Sequence, residues 1–188
     1  MKRVIKPSLS IVVVVLLAAC GNNQSDTSQH GNNHEGHDHA ATEQSSAQST
    51  PAASVNLKDD KLNAVYQHYI HLTTALTNAD AAEAKIASAA VEAGAKEIDG
   101  GVSIANAAAK ITSATDLEAQ RKEYSTLSDE FITLVKKSGL TSGELYIDYC
   151  PMALNHEGAY WVSNSKEIRN PYFGDKMLKC GEVKETIK

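Results

Sequence analysis

Residues 115–139, TDLEAQRKEYSTLSDEFITLVKKSG, decide the fold. Leu117, Tyr124, Leu127, Phe131 and Leu134 recur at spacings of three, four or seven, which lays them along one stripe of an amphipathic helix. Thr115 with Glu118 has the pattern of a capping box at its start. Lys136 and Lys137 complement the negative end of the helix dipole, and Gly139 suits the position just past that end. A long helix with a single apolar stripe needs other helices to bury it.

Three more helices precede it. One begins near Ser103 and carries Ile104, Ala108 and Ile111 on one face. Before it, Asp80 with Glu83 reads as a capping box, and Asp99-Gly100-Gly101 ends the helix so opened. Its narrow apolar side is assigned to Ala82, Ile86, Ala89 and Ala93. The first helix follows Leu57 and buries Leu62, Val65, Tyr69, Leu72 and Leu76, up to the break at Asn78-Ala79-Asp80. His68 and His71, three residues apart beside that stripe, read as solvated edge histidines. Four stripes joined by short connections predict a mainly α fold, an up-and-down four-helix bundle, followed by a small Cys/Met-containing β-hairpin and turn module.

The 188 residues carry a formal net charge of −5 with no basic patch, which argues against nucleic acid as a partner. Residues 1–19 form an export signal, with a basic start and an apolar run from Ile11 to Leu17 too short to span a membrane. Leu17-Ala18-Ala19-Cys20-Gly21 resembles the lipobox of bacterial lipoproteins. That resemblance implies cleavage before Cys20, lipid on Cys20, and a chain anchored to the membrane in the cell envelope, facing the periplasm. Residues 20–54 lack large apolar side chains and read as a disordered tether. His30, His34, His37 and His39 within it offer loose, unselective metal affinity. The folded part is 55–188.

Within it, about 144–181 forms the carboxyl-terminal module. Glu144–Tyr149 and Ala159–Ser163 read as a hairpin around Asn155-His156-Glu157-Gly158, residues 170–174 as a turn, and residues 175–179 as a single helical turn. Cys150 and Met152 fall on one face of an extended strand, and Met177 and Cys180 on one side of a helical turn, with His156 between the pairs in sequence. Thiolate and thioether together suit Cu(I) or Ag(I) rather than zinc, calcium or magnesium. In an oxidising compartment Cys150 and Cys180 would equally form a disulfide, and the two readings exclude each other at any one moment. Tyr160, Trp161, Tyr172 and Phe173 are expected to cover the sulfur groups. No general base with an orienting acid, phosphate loop or zinc-hydrolase motif is recognisable, so the chain does not read as an enzyme.

YCPMA, GAYWVS and IRNPYFGDKMLKCG are similar to the signature of an uncharacterised domain of bacteroidete lipoproteins. The same domain occurs at the carboxyl end of copper and silver efflux adaptor (membrane-fusion) proteins. The resemblance runs from about Leu57 to Val183, and its specific part is the last third. It implies handling of Cu(I) or Ag(I) beside a metal efflux complex, with Cys150, Met152, Met177 and Cys180 as ligands; His156 is added from its place in sequence. The chain has no room for the adaptors' long hairpin and barrel domains, so a free-standing lipoprotein is expected. The alternative expectation is a protein-interaction domain stapled by a Cys150–Cys180 disulfide.

Overall fold

The computed structural model describes residues 54–188. The signal segment, Cys20 and the four tether histidines lie outside the described residues. Four helices dominate: α1 (Asp60–Thr77), α2 (Ala81–Ala95), α3 (Val102–Ser113) and α4 (Leu117–Ser138). Around them run β1 (Asn56–Leu57), β2 (Leu140–Ser142), β3 (Leu145–Cys150), β4 (Ala159–Ser163) and β5 (Glu182–Ile187). The fold is therefore mainly helical with small antiparallel sheets. Each helix packs on the next in sequence, and α1 also meets α4. None of the described helices is long and apolar enough to cross a membrane.

The first and last helices follow their patterns. Leu62, Val65, Tyr69, Leu72 and Leu76 are buried, as are Tyr124, Leu127 and Phe131, whereas Leu117 and Leu134 at the ends of the α4 stripe are only half-buried. Ile104, Ala108 and Ile111 of α3 are buried too. Gly139 ends α4 with a φ of 71°, a conformation glycine adopts without a Cβ penalty. Two caps differ from expectation. Asp116, not Thr115, caps α4 by accepting a 2.8 Å bond from the Ala119 amide, and Thr115 donates to the Asp116 carboxylate instead. Asp80 does cap α2, accepting from the amides of Ala82 and Glu83, but the Glu83 carboxylate reaches out to His71 at 2.8 Å. His71 and its neighbour His68 are exposed, in keeping with edge histidines.

The face of α2 is a correction. Ala84, Ala87, Ser88, Val91 and Ala95 are buried, while Ala82, Ala89 and Ala93 are exposed and Ile86 is 63% exposed. In an alanine-rich helix nearly every face is weakly apolar, so one isoleucine tilts the pattern although the packing is decided elsewhere. Val91 and the Ser88 hydroxyl, which donates to the Ala108 carbonyl of α3 at 2.7 Å, fix the true face.

The predicted hairpin is present. β3 and β4 pair antiparallel with Asp148 opposite Trp161 and Cys150 opposite Ala159. Two pairings lay beyond the expectation: β5 joins the other edge of β3, giving the order β4-β3-β5, and β1 pairs with β2. β5 reads EVKETI and is exposed along almost its whole length, so it offers no apolar alternation to betray a strand. Tyr69 joins helices and sheet. Its ring stacks on Phe131 with centroids 4.2 Å apart, and its hydroxyl meets Ser128, Tyr124 and the Val162 amide of β4 at 2.8, 2.9 and 2.9 Å. All its polar capacity is used in a fully buried position, which fixes the docking of β4 on α1 and α4.

Candidate functional site

β3 is the central strand, and alternation sends Tyr146, Asp148 and Cys150 to one face and Leu145, Ile147 and Tyr149 to the other. Cys150, at the end of β3, is fully buried. Cys180 arrives from a different direction, at the end of a loop that turns back under Asn170. That asparagine is itself fully buried and acts as a clamp. Its Oδ1 accepts from the amides of Tyr172 and Phe173, its Nδ2 donates to the Cys180 carbonyl at 2.7 Å, and its own amide donates to the Leu178 carbonyl at 2.8 Å. Arg121 of α4 holds the same loop from the bundle side, donating from Nε to the Pro171 carbonyl at 2.8 Å and from Nη2 to the Leu76 carbonyl at 3.1 Å. Gly181 then passes so close to β3 and Trp161 that a Cβ there would lie 3.0 Å from both the indole ring and the Tyr149 carbonyl.

These constraints bring the Sγ atoms of Cys150 and Cys180 to 2.8 Å, with both cysteines as free thiols. The hydrogen bond to Cys150, with lesser contributions from burial and from charge repulsion with Cys150, pushes the Cys180 thiol up to about 11. The Cys180 thiol therefore keeps its proton at neutral pH and is a poor nucleophile until a cation or an oxidant displaces it. A turn links Met177 to Cys180, whose amide donates to the Met177 carbonyl at 3.0 Å, and both residues are half-buried.

The other two expected ligands lie apart from the thiols. Met152 and His156 are exposed and line a cavity of about 600 Å³ between the start of α4 and the turn that follows β3. Neither cysteine lines it. The expected aromatic cover divides likewise. Trp161 is buried on the Cys150 face and meets Tyr172 edge-on at 6.0 Å, and Phe173 lines the cavity. Tyr160 falls on the opposite face of β4, tilted against Tyr149 at 4.5 Å, so it does not cover the thiols. Strand alternation between neighbours is the cause.

The residue that sequence reading passed over is Asp148. It is fully buried, and neither carboxylate oxygen has a hydrogen-bond partner. Burial pushes its pKa up to about 7. It shares a strand face with Cys150 two residues on, and the pairing of β3 with β5 slips between Ile147 and Asp148. A lone acid within the otherwise apolar run Leu145–Cys150 was the available signal. Among the described residues no three His, Cys, Asp or Glu side chains gather to hold a metal ion. A site built on the thiols therefore has two such donors, and any further soft donor would have to be a thioether.

Neither the curated proteins nor the solved structures contain a match to this chain. Residues 65–143 match the model of an uncharacterised domain family, described as Protein of unknown function (DUF3347), which spans most of the four helices and stops before β3 and the cysteines.

Proposed function

We propose that the chain is a binding module that carries a soft monovalent cation, Cu(I) or Ag(I), on Cys150 and Cys180. It would do so as a lipid-anchored envelope protein serving heavy-metal efflux or resistance. The observation that carries this reading is the convergence of two thiols from separate elements, 2.8 Å apart, with no third His, Cys or carboxylate donor gathered beside them among the described residues. Structural zinc requires four ligands, whereas thiolates and thioethers select Cu(I) and its congeners at lower coordination. Met177, linked by a turn to Cys180, is the thioether that would serve as a further donor. The four-helix part, read as an up-and-down bundle, acts as a rigid support, and the tether histidines would collect ions for the thiols.

A second reading rests on the same distance. Two metal–thiolate bonds of about 2.3 Å do not place an ion comfortably between sulfurs that are this close, so metal uptake requires Cys180 to draw back. Oxidation requires only a small further approach, to a bond of about 2.05 Å. The chain would then be an interaction domain whose disulfide staples the loop onto β3. The test is a thiol count on the chain as isolated, followed by Cu(I) competition against bicinchoninate after reduction. The metal reading expects two titratable thiols at positions 150 and 180 and one Cu(I) withdrawn by a site that Cys150→Ala with Cys180→Ala abolishes. A persistent disulfide and unchanged Cu(I) uptake in the double variant would replace it with the staple.

A further inference from the structure

We propose that Met152 and His156 form a second soft-cation site, separate from the thiol pair, at the mouth of the cavity between α4 and the turn after β3. The His156 amide donates to the Met152 carbonyl at 3.4 Å, closing a single five-residue turn with the two residues at its ends. Both side chains border the same cavity of about 600 Å³. Leu154, Asn155 and His156 all have left-handed backbone, with φ of 51°, 58° and 70°. Three consecutive non-glycine residues in that region are costly for ordinary side chains, and such strain collects where a loop serves a ligand. Met152 is also one of the few large apolar side chains left open to solvent, at 39% exposure.

The chemistry of the donors selects the ligand. Thioether sulfur is a poor ligand for magnesium, calcium or zinc and a good one for Cu(I) or Ag(I), and imidazole serves as the second donor. Two carboxylates, Glu118 and Glu157, and two cations, Arg121 and Lys122, line the same cavity, with Glu118 engaged by Arg121 Nη1 at 3.1 Å, so the preference for a soft ion rests on the thioether. Leu154 and Phe173 provide apolar walls. Neutral donors open to water bind more weakly and exchange faster than buried thiolates, so this site would capture an ion rather than store it. Its donors differ from those of the cysteine pair, and it stands or falls separately from the reading above.

The test follows the methionine methyl resonances of the full chain during titration with Ag(I), with the Met152 signal assigned through Met152→Leu. In the Cys150→Ala, Cys180→Ala background, the Met152 methyl is expected to shift and saturate, the Met177 methyl to stay, and His156→Ala to weaken the titration by at least about tenfold. A Met152 methyl that never moves, or a titration indifferent to His156→Ala, overturns the proposal. If the cysteine variant does not fold, the unmodified reduced chain gives the same readout once the thiols are filled. A Met152 shift from the first equivalent in that chain supports this site while counting against the thiols as the stronger one.

Discussion

The helices and the β3–β5 module solve the problem of holding position in different ways. In the helices, Leu, Ile, Val and Ala stripes are buried and the hydroxyls of Tyr69, Tyr124 and Ser128 satisfy one another, with the neutral Gln120 Oε1 left without a partner. The module instead relies on one buried asparagine, one buried arginine and closely approaching glycine backbone, and it tolerates a strained turn and an unpartnered buried carboxylate. Stability therefore lies mainly in the helices, and the chemically loaded features lie where stability has been given up.

The strongest challenge to that contrast is Phe131→Ala. Removing the ring stacked on Tyr69 leaves a cavity at the point where α1, α4 and β4 meet, and should destabilise the fold by about 3–5 kcal/mol in urea unfolding. A loss below about 1 kcal/mol would mean that the helices do not dominate.

Asp148 provides the next test, and its sign is opposite. An ordinary carboxyl near 3.8 in the unfolded chain rises to about 7 in the folded one, so the folded state holds a proton that the unfolded state releases between those values. The contribution of Asp148 to stability is therefore most favourable below about pH 4, falls as pH climbs towards 7, and carries the full penalty above it. Asp148→Asn should stabilise the chain by on the order of 2 kcal/mol at pH 8, with allowance for relaxation around the charge, and by almost nothing at pH 4. Equal effects at both pH values would contradict the account of the buried charge. The smallest expected effect is Ile86→Lys on α2. With Ile86 facing solvent, it should shift stability by no more than about 0.5 kcal/mol, whereas a substantial loss would restore the face first assigned to that helix.

The same division explains what was legible in the sequence. Helices α1, α3 and α4 announced themselves because a 3.6-residue period is written in large side chains such as Tyr69 and Phe131, and the β3–β4 hairpin by its aromatic run. α2 misled because alanine gives almost no contrast between faces, and the α4 cap shifted by one because Thr115 and Asp116 both suit the position. β5 was invisible because an exposed edge strand needs only backbone pairing with β3. At the site, Cys150 and Cys180 were chosen by element alone, and their meeting at 2.8 Å depends on the Asn170 clamp, which reads in sequence merely as the start of a turn. Met152 was paired with Cys150 by strand alternation, but the strand ends at Cys150 and the chain turns, so the thioether borders the cavity that His156 also lines. Asp148 went unnoticed because an acid on a strand is ordinary until its partners can be counted.

Whether Cys150 and Cys180 hold a soft monovalent ion is decided by X-ray absorption at the copper edge of the reduced, Cu(I)-loaded chain. A low-coordinate ion with two sulfur neighbours is expected, lost in the Cys150→Ala, Cys180→Ala variant. An ion surrounded only by nitrogen and oxygen, or a spectrum that the double variant leaves unchanged, would contradict that expectation and leave the cysteine pair as a staple.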